Sequence, residues 1–182
     1  LIFGMIAAGP AWSETAPATT SAVPAFSSQD DFNRWSSFYY VQPNPERVVP
    51  AIRFMAESGI LEEETQRAPM MAFLAEIFRQ NEGSLTAWLK QLEDLKEGQQ
   101  KVLWHALWFS NCAEASALLL AFRYKTSSEG KDLIDRLLKE EPPDLLSVPV
   151  SSPAVLDMLW GTFYVSGDEK YVQRVISALP LS

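Results

Sequence analysis

Helix start and stop signals punctuate this chain from Ser27 onward, and they limit its fold class more than any other feature. Stretches with large apolar residues at helical spacing are separated by Gly59, Gly83, Pro142-Pro143 and Gly167. Glycine ends helices because it readily adopts the left-handed conformation, and proline cannot continue a helix. No stretch shows the sustained alternation of apolar and polar residues that marks a half-buried strand. The sequence therefore predicts an all-α fold with strand content near zero.

Capping residues place the individual helices. A short helix is expected after Ser27-Ser28, and Asn44 with Pro45 begins a second one that Gly59 ends. Further helices are expected at about 69–81, 85–95, 99–110, 112–124, 129–140, 153–165 and 169–179. Ser127 or Ser128, then Ser152, then Asp168 are the natural N-caps of the last three, because their side-chain oxygens accept hydrogen bonds from free backbone amides.

Two of these segments are apolar on nearly every face. They are residues 102–109 and 115–122, and a surface helix would instead show a polar half. We therefore expect them to form a central hairpin with other helices on both sides. Residues 131–141 carry apolar side chains on one helical face and charged side chains on the other. They are therefore predicted to form an outer helix.

The helical hairpins recur every 30 to 40 residues or so, which is the spacing of short α-solenoids. A clean repeat would return the same residues at the same offsets, whereas here only the general scheme returns. A compact bundle and a short solenoid both remain open.

Charge and cysteine content exclude some classes of protein. The formal net charge is -8 and the isoelectric point is near 4.7, which disfavours nucleic acid and anionic membrane as partners. Cys112 is the single cysteine, so it forms no internal disulfide and is expected to be either a buried, inert thiol or a group available to another molecule.

The first residues predict export. Residues 1–8 are an uncharged apolar run, and Ala11-Trp12-Ser13 has the small residues that a signal peptidase recognises. We interpret residues 1–13 as a signal peptide remnant cleaved before Glu14, with Ala16 and Ala18 as later cleavage options. Residues 14–25 are poor in large apolar side chains and predict a flexible linker, followed by one domain over 26–182. The expected location is the periplasm or the outside of the cell, with no stable membrane span after cleavage.

Two segments carry a resemblance to known proteins. Residues 38–45, FYYVQPNP, and residues 156–176, LDMLWGTFYVSGDEKYVQRVI, resemble segments of an uncharacterised group of exported bacterial α-helical proteins. The C-terminal hairpin is also similar to a degenerate tetratricopeptide unit, with Tyr171 in its second helix. These resemblances imply helical hairpins and a protein or peptide partner, and they imply no chemistry.

His105 is the only histidine, so an enzyme using histidine as a base would depend on it. Cys112 follows seven residues later beside Asn111, but a continuous helix would separate the thiol and the imidazole by about 10 Å, whereas a catalytic pair needs about 3 Å. We interpret His105 as a core histidine bonded to a neighbouring helix.

Asp157 is an acid within the apolar stretch 155–160. If its helix is buried, the carboxylate should pair with a donor, for which Tyr124, Arg123, Arg174 and His105 are the candidates. A ligand-binding role is the alternative. Gly161 costs about 1 kcal/mol in a helix interior relative to alanine, so we expect it to allow the close approach of another backbone.

An aromatic stripe precedes the first long helix. Phe32, Trp35 and Tyr39 share one helical face, which favours core packing. The alternative assigns Trp35 and Tyr39 to a binding surface.

Local catalytic and cofactor motifs are missing: no P-loop, dinucleotide fingerprint, CxxC, HExxH or GxSxG occurs. We therefore expect no cofactor and no metal. The hairpins favour a domain that binds a protein or peptide partner in the bacterial envelope. The alternative is an envelope hydrolase or small-ligand-binding protein with a pocket around His105 and Asp157.

Overall fold

A computed structural model describes residues 25–178. The predicted signal peptide remnant and all but the last residue of the predicted linker lie outside this range, as do residues 179–182. Residues 25–178 form nine α-helices and no strand, which confirms the predicted all-α class. The helices are α1 Gln29–Ser37, α2 Val48–Glu57, α3 Glu64–Gln80, α4 Leu85–Lys90, α5 Glu97–Ser110, α6 Ala115–Arg123, α7 Ser128–Leu137, α8 Pro153–Ser166 and α9 Glu169–Ala178.

Several helix ends follow the predicted capping. The Ser28 hydroxyl accepts from the Asp31 amide at the start of α1, and the Ser127 hydroxyl accepts from the Gly130 amide at the start of α7. Gly59 and Gly167 adopt positive φ angles of 80° and 65° just after α2 and α8, as the sequence predicts. Asn44 is different, because its side chain makes no capping bond and Pro45 opens a short 3-10 turn before α2.

The centre of the fold is α3. The sequence predicted a helix at about 69–81 but did not predict its central position. This helix packs against α5 on one side and α8 on the other, and every residue from Ala72 to Phe78 is buried. The predicted central hairpin is wrong in its second member: α6 lies outside, with Leu120 exposed. Two of its alanines, Ala117 and Ala121, face solvent, so their apolar character did not require burial.

Packing between α3 and α8 joins segments about 90 residues apart in the chain. Repeats in a solenoid contact only their neighbours, so this contact makes the fold a bundle. The two helices approach closely at Gly161, where a Cβ would lie 3.2 Å from the Pro69 carbonyl carbon and 3.3 Å from the Phe73 nitrogen. The expected close approach of another backbone at Gly161 is therefore confirmed.

Glu97, at the start of α5, holds the connection between α6 and α7. Its carboxylate accepts hydrogen bonds from the Thr126 hydroxyl at 2.9 Å and from the Ser127 hydroxyl at 2.6 Å. The bonds from Ser127, together with the one from Thr126, lower the pKa of the Glu97 carboxyl below its ordinary value.

We expect this contact to contribute to acid sensitivity. A carboxyl whose pKa is lowered by folding stabilises the fold above its unfolded-state pKa, and that contribution is lost as the pH falls through the folded-state pKa. The urea midpoint of Glu97→Gln should therefore fall less than that of the wild type between about pH 5 and about pH 3. Glu114→Gln, at an exposed carboxylate, is the control and should follow the wild type. Equal acid sensitivity of Glu97→Gln and wild type would contradict the assignment.

Candidate functional site

An exposed apolar turn links α1 to the 3-10 turn before α2. We call residues 38–42 the apolar turn. Its residues Phe38 and Val41 are 58% and 64% exposed, although large apolar side chains are usually buried in cores. Backbone bonds from the amides of Val41 and Gln42 to the Phe38 carbonyl close the turn, at 3.1 Å each.

Tyr40 fixes this turn to α8. Its amide donates to the Tyr164 carbonyl at 3.0 Å, and its ring lies 5.3 Å from the Phe163 ring. The Tyr40 side chain also packs so closely on Gly167 that a Cβ there would lie 2.9 Å from it. The turn therefore holds Phe38 and Val41 in solvent on an anchored backbone.

A cavity of about 310 Å³ lies next to this turn, between α1, α3 and α8. We call it the Asp157 cavity. Asp157, Trp160 and Tyr164 occupy positions i, i+3 and i+7 of α8, so they share one face of that helix. The Trp160 and Tyr164 rings are stacked, with centroids 6.0 Å apart and an interplanar angle of 26°. Its remaining lining residues are Ser36, Gln66, Pro69, Met70, Phe73 and Gly161.

Asp157 itself is exposed, which corrects the sequence interpretation of a buried, paired carboxylate. Within residues 25–178 it forms no hydrogen bond and no ion pair. The donors proposed for it are engaged elsewhere or exposed: Arg174 donates to the Val148 carbonyl at 3.0 Å, and Tyr124 is 79% exposed. Arg123 pairs with Asp135 at 2.6 Å, and this hydrogen bond raises the pKa of the Arg123 guanidinium.

His105 lies away from the Asp157 cavity. Its Nδ1–H donates to the Lys101 carbonyl at 2.7 Å, one turn earlier in α5. The predicted bond to a neighbouring helix is therefore replaced by a bond within the same helix. Cys112 is buried, in agreement with an inert structural thiol.

Trp35 and Tyr39 are core residues. Trp35 packs edge-on against Tyr39 and Phe73, with ring centroids 5.3 Å and 5.6 Å apart. Burial raises the pKa of the Tyr39 hydroxyl. The core interpretation of this aromatic stripe is confirmed, and neither ring lines the Asp157 cavity.

Sequence reasoning missed a buried acid in α3. Glu76 is 5% exposed, and Arg79 and Gln80 satisfy its carboxylate with bonds of 2.6 to 2.9 Å. It lines a second cavity of about 250 Å³, together with Asn111 and Tyr171. Burial is the main cause of a raised pKa at the Tyr171 hydroxyl. Because the Glu76 carboxylate already has its partners, we interpret the pair as structural.

Residues 25–178 contain no group of three or more His, Cys, Asp or Glu side chains placed to hold a metal ion. None of the helices between residues 25 and 178 is long and apolar enough to cross a bilayer. Comparison with protein-family models, curated proteins and solved structures finds no match.

Proposed function

We propose that this chain is an exported helical domain that binds a protein or peptide partner in the bacterial envelope, and that the apolar turn is its contact surface. One observation carries the proposal: Phe38 and Val41 are held more than half exposed on a backbone that Tyr40 anchors to α8. Exposed side chains on a fixed backbone support binding, because a preformed surface loses little conformational entropy when a partner covers it.

The energetic gain favours such a contact. Full burial of a Phe or Val side chain contributes roughly 1.5 to 3 kcal/mol. Grouped apolar residues at the surface are typical of interaction sites, whereas single ones need no explanation. Ile176, 60% exposed on α9, is one of the single residues and provides a comparison.

The border of the turn indicates the chemistry of the partner. A groove of about 540 Å³ beside Phe38 and Val41 is lined by Arg34 and by the Arg47–Asp31 ion pair, which is 2.8 Å long. Arg34 forms no ion pair within residues 25–178. We infer that the partner presents an apolar segment with an acidic group that meets Arg34.

Export rests on the sequence. The apolar run over residues 1–8 and the small residues at 11–13 support cleavage of a leader. We place the function in the periplasm or outside the cell on that basis.

Substitution of the turn tests the proposal. The immobilised chain is used to capture proteins from an envelope extract, and the amount of each is compared between wild type and the double variant Phe38→Ser/Val41→Ser. We expect the double variant to lose at least about 10-fold of its specific capture, because each serine removes apolar area from the contact.

Two control variants accompany this measurement. Ile176→Ser removes a similarly exposed apolar side chain elsewhere, and His105→Gln removes the only histidine. Both should retain capture, and all variants should keep the wild-type circular dichroism spectrum. Equal capture by the double variant and wild type would overturn the assignment of the turn. Loss of a measurable turnover in His105→Gln, with a normal fold, would favour the hydrolase alternative.

A further inference from the structure

The Asp157 cavity has a composition that suits a positively charged organic group. Its lining contains one carboxylate, the two partly buried aromatic residues Trp160 and Tyr164 of α8 and the thioether of Met70. None of the residues that line it is Lys, Arg or His. The carboxylate of Asp157 is exposed and makes no ion pair within residues 25–178, so its charge is available to a ligand.

Aromatic faces carry negative electrostatic potential, and they attract cations within about 6 Å of the ring centroid, with Trp the strongest. Trp160 and Tyr164 supply two such rings, and Asp157 supplies a full negative charge one turn away on the same helical face. An anion would be repelled by the carboxylate and by the ring faces. A neutral ligand of the same shape would gain only apolar contact.

The donor set also separates an organic cation from a metal ion. Hard divalent cations take about six or more oxygen ligands, whereas this cavity offers a single carboxylate among the described residues that line it. A quaternary ammonium group needs no hydrogen-bond acceptor, because its charge is spread over methyl groups. A primary ammonium carries three donors, for which the lining offers the Asp157 carboxylate and the side-chain oxygens of Ser36 and Gln66, so the two kinds of ammonium are compared directly in the ligand test below.

Cavity size and rigidity fit a small ligand. The volume of about 310 Å³ lies at the lower end of the range for small-molecule sites, about 300–1,000 Å³. Its walls are fixed where α8 meets α3, because Gly161 allows the two backbones to touch at Pro69. The cavity is therefore preformed, which reduces the entropic cost of binding.

We propose that the Asp157 cavity is a binding site for a small quaternary ammonium compound, with Asp157 as the counter-charge and Trp160 and Tyr164 as the cation–π surface. This site goes beyond the proposed partner surface and does not depend on it, since neither Phe38 nor Val41 lines the cavity.

Matched ligands test the proposal on the whole chain. Choline and 3,3-dimethyl-1-butanol have nearly the same shape, but only choline is charged. Titration calorimetry and the shift of the Trp160 indole N–H signal in NMR spectra should show choline binding at least about 10-fold tighter than the neutral alcohol. Equal affinity for the two compounds would overturn the proposal, as would the absence of choline binding.

Substitutions in the lining test whether choline binds in the Asp157 cavity. Asp157→Asn and Trp160→Leu should each weaken choline binding about 10-fold, whereas Asp132→Asn, which removes an exposed carboxylate from α7, should leave it unchanged. If Trp160→Leu does not fold, Trp160→Phe should give a smaller loss in the same direction. Unchanged affinity in Asp157→Asn would contradict the assignment.

Two further measurements separate the alternatives. N-acetyl-lysine amide carries the primary ammonium of a peptide side chain, and binding tighter than that of choline would overturn the quaternary assignment in favour of a basic peptide. Phe38→Ser/Val41→Ser should bind choline like the wild type. This variant therefore distinguishes a failure of the proposed partner surface from a failure of the cavity.

Discussion

Replacing Gly161 with alanine is expected to destabilise the fold by about 3 kcal/mol, at the upper end of the usual cost of overpacking. The added Cβ would overlap the Pro69 carbonyl group of α3, and backbone atoms move less readily than side chains. Alanine favours a helix interior by about 1 kcal/mol over glycine, so propensity alone predicts the opposite sign. Urea denaturation followed by circular dichroism measures the difference.

Gly98→Ala provides the matched control, because Gly98 is also helical and a Cβ there would meet nothing within 4 Å. It should leave the free energy of unfolding unchanged or raise it by up to about 1 kcal/mol. Equal stabilisation by both substitutions would show that α3 and α8 do not touch at Gly161.

Truncation of Trp104 is the second large effect that we expect. Trp104 is fully buried in α5 and packs near Phe122, with ring centroids 6.1 Å apart. Trp104→Ala should therefore cost about 3 to 5 kcal/mol, a large part of the total stability of about 5 to 15 kcal/mol that is typical of a domain. Thermal and urea unfolding both report this loss.

Trp108 is the natural comparison, one turn later in the same helix. It is only partly buried, and its indole N–H donates to the Glu140 carbonyl at 2.8 Å. We expect Trp108→Ala to cost roughly half as much as Trp104→Ala. Equal losses would mean that Trp108 contributes as much packing as the fully buried Trp104, contrary to its partial exposure.

Helix identity could be predicted from the sequence because its signals are local. Ser28, Ser127, Gly59 and Gly167 act through backbone amides and φ angles within a few residues. The start of α3 could not be placed in this way. Pro69 predicts a first helical residue, yet α3 begins at Glu64 and continues through it. As the sixth residue of α3, Pro69 removes the backbone hydrogen bond to the Thr65 carbonyl and crowds that carbonyl with its ring. Packing of α3 against α5 and α8 offsets this cost.

Local sequence signals could not predict which helices lie at the centre of the fold and which lie outside. Apolar character around the whole helix predicted that α6 is central, but small residues such as Ala117 are tolerated in solvent. The burial of Glu76 in α3 depends on Arg79 and Gln80, which follow it on the same helix. A spacing of i+3 and i+4 between an acid and its donors was visible in the sequence and could have identified it.

Asp157 illustrates what sequence reasoning found and what it missed at the candidate site. The acid attracted notice because it lies in an apolar stretch, but its neighbours Trp160 and Tyr164 were not connected with it. Their spacing of three and seven residues places all three on one helical face. The contribution of α3 to the cavity, through Met70 and Phe73, required the packing of distant segments and had no local signal.

Both proposed surfaces depend on the docking of one helix. The apolar turn is anchored to the Tyr164 carbonyl, and the Asp157 cavity closes only while α8 lies against α3. An occupant of either surface therefore binds the docked state alone and raises its population. Binding of a quaternary ammonium compound or of a protein partner would therefore each slow the hydrogen exchange of the α8 amides, although the two occupants contact different residues.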